Sequence, residues 1–395
     1  MKYLIFISLL IVSVSCVAQP EFQKKFLTEF IEAENGSTIE LPEGIFTLEV
    51  SLWMDGKENI LIKGKGMDKT FLNFKNQLSG AEGIKITNCK NITISDLTVQ
   101  DTKGDGIKTQ QVDGIVFRNV KAEWTRGANS KNGGYGIYPV QCEQVLIENC
   151  VARGASDAGI YVGQSNYIIV RNNKAYENVA GIEIENSSYA DVYNNEMYNN
   201  TGGLLIFDLP DLIKKKGGYC RAFDNNIHDN NHVNFAPKGN IVGKVPQGTG
   251  VMIMAANNIE LFKNNIHNNI TTGVAVVSYY ISENPIKDSL YYPYPENIFI
   301  HGNSFSRPDV RATMKGRMGK LFRFKLKFGK NVPHIVWDGI VNEKAKNRNV
   351  LCISDNKNAS FANIKAEDNF KEISRDMNSH ACTPASLKPV TLNVK

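Results

Sequence analysis

Apolar residues recur along this chain at two periods, one nested in the other. After each of eight glycines comes a short run with mostly apolar side chains at its first and third positions. These runs are GIKI from Gly83, GIKT from Gly106, GIYP from Gly136, GIYV from Gly159, GIEI from Gly181, GLLI from Gly203, GVMI from Gly250 and GVAV from Gly273. They return at spacings of 23, 30, 23, 22, 22, 47 and 23 residues. The unit is therefore about 22 residues, interrupted by one insertion of about 7 and another of about 25. Alternation at period two is the mark of a strand. A fixed repeat of this length is the mark of a solenoid.

A second strand recurs between the glycines, in NITISD, GIVFRN, QVLIEN, YIIVRN and their successors. It ends on Asn119, Asn149, Asn172, Asn194, Asn225 and Asn264. Asparagine tolerates the left-handed turn conformation and, stacked, can hydrogen-bond along a column. Short strands with one Gly and one Asn column predict an all-β fold, a right-handed parallel β-helix of ~22-residue coils. Ile84, Ile107, Ile137, Ile160, Ile182, Leu204, Val251 and Val274 form one predicted interior column. The residues two further on form the second, and it includes Pro139. Proline has no amide hydrogen to give a ladder, so the sheet is expected to be disturbed there.

The ends are also patterned. EFQKKFLTEFIEA places Phe22, Phe26, Phe30 and Ile31 on one helical face, suited to covering the open N-terminal end. KLFRFKLKFG alternates Phe322, Phe324, Leu326 and Phe328 with Arg323, Lys325 and Lys327, which predicts a basic amphipathic strand in a C-terminal cap. The expected division is a leader at 1–18, the β-helix at 19–307 and a basic extension at 308–395.

If the interior columns are correct, the residues between them face outward. The first such column is Lys85, Lys108, Tyr138, Tyr161, Glu183, Leu205, Met252 and Ala275. With neighbouring strands ~4.8 Å apart, Lys108 to Glu183 would span about 14 Å, a few sugar rings. One amine, two phenols and a carboxylate in a row is a candidate reactive surface, so Lys108, Tyr138, Tyr161 and Glu183 are the candidate catalytic residues. Around them Lys103, Asp105, Gln141, Asp157, Gln164, Glu185 and Asp208 are candidate substrate contacts. The glutamines also fit a structural amide ladder. The insertions Glu123–Gly134 and the one before Gly250 are placed to wall a cleft. No metal spacing stands out and no cofactor is expected, although Glu183, Glu185 and Asp208 could offer oxygen ligands to Ca²⁺.

The first residues, MKYLIFISLLIVSVSCVAQ, read as an export signal, its apolar run too short to span a bilayer. Cleavage after Ala18 would release the chain, and cleavage before Cys16 would make a lipoprotein. Export permits disulfides, and Cys352 with Cys382 is the best pair. The charge is uneven: Gln19–Arg307 holds 27 basic and 32 acidic residues, while 308–395 holds 17 and 8. A basic tail on a mildly acidic body suits an acidic glycan or a membrane surface. No nucleic-acid partner and no transmembrane segment are expected.

These segments, with SDLTVQDTKGDGIK, YGIYPVQC, GASDAGIYVGQS and GTGVMIMA as carriers, resemble an exported parallel β-helix repeat family of the pectin-lyase-like superfamily. Tyr135, Gly136, Ile137 and Pro139 also resemble part of the Tyr-Gly-Phe-Asp-Pro-His strand of mannuronan C-5 epimerases. Tyr138 stands where that motif has Asp, and Val140 where it has His. The β-helix repeat family has no assigned reaction; the epimerase-like strand implies lyase or epimerase action on an acidic polysaccharide. Abstraction of a uronate C5 proton needs a base and a neutralised carboxylate, here a tyrosine or Lys108. A non-catalytic polysaccharide-binding or cell-surface role is the alternative, and glycoside hydrolysis by paired carboxylates the second alternative.

Overall fold

The computed structural model describes residues 20–314, 316–344 and 350–394. The expected leader, with Cys16, lies outside the described residues. A full coil consists of three strands, for example Ala158–Gly163, Asn166–Arg171 and Lys174–Tyr176. Each pairs in parallel with its equivalent one coil later, as Ile160 with Ile182, Ile168 with Ala190 and Ala175 with Met197. Among the described residues the strands form two parallel sheets, of nineteen and eleven strands. This is the right-handed parallel β-helix that the repeat predicts. The stack runs past residue 307, since Ile335–Trp337 and Phe361–Asn363 extend the eleven-stranded sheet.

Both predicted interior columns are buried, from Ile84 to Val274 and from Ile86 to Val276, in one continuous core. Full burial of a branched aliphatic side chain stabilises by ~1.5–3 kcal/mol before ordering costs. The glycine column has a steric cause. A Cβ on Gly136 would stand 2.5 Å from the Gly159 carbonyl oxygen, and one on Gly250 2.5 Å from that of Gly273. Pro139 interrupts the ladder as expected: Ile137 pairs with Ile160 and Val140 with Gly163, but the two residues between do not pair on that side.

The asparagine ladder sits one residue beyond the expected column in the earlier coils. Asn119, Asn149, Asn172 and Asn194 are turn residues with φ of 53–57°. The ladder is Asn173, Asn195, Asn225, Asn264 and Asn303, all buried, and the partly exposed Asn356, each amide bonded to the next. A parallel ladder joins Asn178, Asn200, Asn230 and Asn269 at another corner.

The helix Pro20–Glu32 caps the open end, with Phe26 and Phe30 buried and Phe22 packed against them. Ile31 departs from expectation and is 49% exposed. The KLFRFKLKFG segment is helical rather than a strand, as Arg317–Lys320 followed by a π turn over Leu321–Lys325. Burial there follows the i, i+4 pair Phe322 and Leu326, which leaves Phe324 61% exposed. Cys352 and Cys382 form the expected disulfide. Beyond it the tail crosses the coils, its Leu387, Val390 and Asn393 amides donating to Glu260, Asp191 and Gln144.

Candidate functional site

The outer face of the eleven-stranded sheet is not an open column of side chains. Lys85, Lys108 and Tyr138 are partly exposed, whereas Tyr161, Glu183, Leu205, Met252 and Ala275 are buried. Segments between the coils fold back over the later strands. Val242 and Val245 from one, with Tyr279 and Tyr291 from another, pack on Leu205, Phe207, Met252 and Met254 in a second apolar cluster. The expectation that Tyr161 and Glu183 face solvent is therefore corrected. Outward positions this apolar needed a cover, and the insertions supply it.

At the boundary between open and covered face, three tyrosines meet. Ring centroids are 4.5 Å apart for Tyr135 and Tyr138, 4.4 Å for Tyr135 and Tyr161, and 5.0 Å for Tyr138 and Tyr161. The Tyr161 ring folds over Gly163, where a Cβ would come within 2.3 Å of it. Parallel register sets Tyr138 beside Lys108, and the Lys108 ammonium lies 4.9 Å from the Tyr138 ring centroid. Lys108 makes no ion pair with Glu183 or any other described residue. Burial, followed by the charges of Asp105 and Glu185, pushes the Tyr138 phenol well above its ordinary value. The phenol is therefore held in its protonated form at neutral pH.

Asp105 is the carboxylate on the open side. Its Oδ1 accepts the Tyr135 backbone N–H at 3.1 Å, while Oδ2 bonds no described residue. Burial raises it to about 6, against the opposing pull of that N–H and of Lys108. A carboxylate ionised above pH 6 beside a lysine and a phenol can accept a proton at neutral pH. Lys103, also expected nearby, is exposed.

The remaining acids lie beneath the cover. Glu185 Oε1 accepts the Tyr161 hydroxyl at 2.6 Å, and Asp157 Oδ2 accepts the Asn240 amide at 3.0 Å. Among the described residues neither carboxyl oxygen of Glu183 has a hydrogen-bond partner, nor does Asp157 Oδ1. Burial and mutual repulsion raise Asp157 and Glu185 to about 7 and Glu183 well above its ordinary 4.5. These groups titrate together, so the values belong to the set. Enclosed carboxyls of this kind do not form the accessible pair that hydrolysis needs.

The other expected contacts hydrogen-bond within the chain. Gln164 Oε1 accepts the amides of Ile213 and Lys214 at 3.1 and 3.2 Å. Asp208 Oδ1 accepts Gly217 N–H at 3.0 Å, so both residues pin the segment between them. Gln141 accepts from Gln110 at 3.3 Å, one rung of the amide ladder. Beyond the effect of burial, the Asp208 charge still acts on Glu185, raising it. Among the described residues no group of three His, Cys, Asp or Glu side chains is arranged to hold a metal. The insertion Glu123–Gly134 buries Trp124, whose indole donates to Thr102 O at 2.8 Å, and so delivers the chain into Tyr135.

Glu183 carries a stability prediction. Its folded value lies above its unfolded one, so the folded state binds the extra proton. That stability is fully present below about pH 4.3, the unfolded value, and is lost as pH rises through the folded value. Glu183→Met keeps the shape and removes the charge. It is expected to stabilise the protein by roughly 1–3 kcal/mol at pH 8 and distinctly less at pH 5. Thermal melts of both proteins at the two pH values check this; an equal difference at each pH would contradict it.

The family described as "Right handed beta helix region" matches residues 125–289. The family described as "Periplasmic copper-binding protein (NosD)" matches residues 29–202. No curated protein sequence matches the chain. Among solved structures, the mannuronan C-5 epimerase AlgE4 A-module of Azotobacter vinelandii is similar at TM-score 0.54 and 18% identity, covering 82% of this chain and 86% of that one. The AlgE6 A-module of the same organism gives 0.49 and 15%, covering 85% and 90%. A DFA-IIIase from Arthrobacter chlorophenolicus A6 gives 0.46 and 10%, covering 79% and 86%. At these identities the likeness is one of fold. By its repeats, its two parallel sheets and the match to the right handed beta helix region, the chain is a right-handed parallel β-helix protein.

Proposed function

We propose that this is an exported carbohydrate-active protein that acts on a uronate-containing polysaccharide by proton transfer at C5. The reading is carried by one observation: on the open part of the sheet face Lys108, a cation with no ion pair among the described residues, lies over the Tyr138 ring, and the partly buried Asp105 carboxylate, held by the Tyr135 N–H, is within electrostatic reach of both. The Lys108 ammonium pairs with the substrate carboxylate and stabilises the negative charge that develops on it. Asp105 takes the C5 proton. The Tyr138 phenol then supplies a proton. Given to C5 from the opposite face, it completes epimerisation. Given to O4 as the C4–O4 bond breaks and a C4–C5 double bond forms, it completes elimination.

These side chains support proton transfer without choosing between the two products. The support is local chemistry rather than the likeness to an epimerase module, which concerns the fold. The C-terminal excess of basic residues agrees with an acidic polymer.

The test is incubation of the mature protein with mannuronan, alginate and polygalacturonate in deuterated water. Deuterium uptake at C5 or new absorbance near 235 nm supports the reading. A working base must be ionised, so kcat/KM is expected to fall as pH drops through about 6, following Asp105. Retention of a polymer without deuterium uptake or cleavage would replace catalysis with binding. Reducing ends without absorbance would replace it with hydrolysis.

A further inference from the structure

The same sheet face has a second accessible feature, four strands beyond Tyr138 and about 19 Å along the stack. Here lies a cavity of about 960 Å³, floored by Met252 and Met254 and walled by Ile281, Phe324 and Phe370. Methionine floors adapt to apolar ligands of varied shape. Volumes of this order accommodate an organic ligand of drug size. Phe324, 61% exposed, continues the apolar surface outward.

The cavity is lined at its edge by four cations, Lys244, Arg317, Lys320 and Lys325, and one carboxylate, Glu283. Arg317 is paired with Glu283. Lys244 reaches only neutral acceptors, Ser282 O and Asn284 Oδ1, and Lys325 lies 4.5 Å over the Phe370 ring. Lys320 is exposed and meets no described carboxylate. Burial, and then the Arg317 charge, holds the Lys244 ammonium below the ordinary lysine range. Among the described residues three cations are therefore left without a carboxylate at the edge of an apolar chamber. A neutral apolar ligand would leave that charge uncompensated. An acidic sugar would set much of its hydroxyl-bearing surface against the Met252, Met254, Phe324 and Phe370 side chains, which offer it no hydrogen bonds.

We propose that this cavity binds an amphipathic anion, its apolar body on the Met252–Met254 floor and its carboxylate or phosphate head among Lys244, Lys320 and Lys325. The site is separate from the Tyr138 surface and does not depend on the chemistry proposed there.

The test is calorimetric titration of the mature protein with dodecanoate below its micellar concentration. One molecule is expected to bind per chain at micromolar affinity. Lys244→Ala with Lys320→Ala, both at exposed positions, is expected to weaken binding at least tenfold. Met252→Trp, which fills the floor, is expected to abolish it, with circular dichroism checking the fold of each variant. Neutral dodecyl maltoside should bind at least tenfold more weakly. Flotation with phosphatidylglycerol vesicles separates two sources of such an anion. Wild-type flotation that Met252→Trp abolishes indicates a bilayer lipid, and dodecanoate binding without flotation indicates a free acid. Absence of dodecanoate binding, binding indifferent to both sets of substitutions, or displacement of dodecanoate by trigalacturonate would overturn the proposal.

Discussion

Asp105→Asn is expected to lower kcat/KM on a uronate polymer by ~10²–10⁴-fold while leaving the fold intact. The substitution is informative because the Asn Oδ1 can still accept the Tyr135 N–H that Asp105 holds at 3.1 Å. Only the capacity to take a proton is removed. C5 deuterium uptake should therefore fall with turnover, since the step lost is abstraction itself. Tyr138→Phe keeps the ring among Tyr135, Tyr161 and the Lys108 ammonium but deletes the phenolic proton. It should cost a comparable factor in product formation. Lys108→Met removes the cation at similar length, so it should raise KM as well as lower kcat, because the substrate carboxylate is held in both ground and transition states. Full activity in Asp105→Asn would sink the assignment of the base. Equal losses in KM alone across all three variants would reduce the site to a binding surface.

The scaffold was readable because its rules are periodic. One glycine column and two apolar columns sufficed to place the interior side chains, and the stack agrees with them. The cover was harder to read, because a return segment's destination is not written in its own sequence. A signal was nevertheless present: Leu205, Phe207, Met252 and Met254 are apolar at outward positions, and a solvated face does not select them. Taken seriously, they mark where the open face ends. Glu183 then falls on the covered side and Lys108 on the open side. Asp105 could be placed near the site but not given its role, because its shift depends on burial and on a backbone amide from the next coil. The KLFRFKLKFG segment misled because phenylalanine spaced by two and apolar residues spaced by four coexist there. Packing favoured the latter, on Phe322 and Leu326.

The asparagine doublet in YNNEMY separates two positions with different physics, and single substitutions should separate them by several kcal/mol. Asn194 is exposed with φ of 54° and owes its place to tolerance of the left-handed conformation. Asn194→Ala should cost only ~1 kcal/mol, and Asn194→Gly close to nothing. Asn195 is 1% exposed. Its Oδ1 accepts the Asn173 backbone and side-chain N–H at 3.0 and 2.9 Å, and its Nδ2 donates to Val170 O and Asn225 Oδ1 at 2.9 and 3.0 Å. Asn195→Ala strands the Asn173 donors and the Val170 carbonyl away from water. At ~1–3 kcal/mol for each buried group left unsatisfied, with incomplete additivity, the loss should be about 3–5 kcal/mol. Because each coil contacts only its neighbours, the damage should be local at first. Hydrogen exchange should accelerate at the Asn173 and Asn195 amides before it does in distant coils. Asn195→Asp makes the sign of the effect visible through pH. A buried aspartate places an acceptor against Val170 O, so its folded value is raised and its stability recovers as pH falls through that value. Equal melting temperatures for Asn194→Ala and Asn195→Ala would show that the amide ladder adds nothing beyond turn geometry.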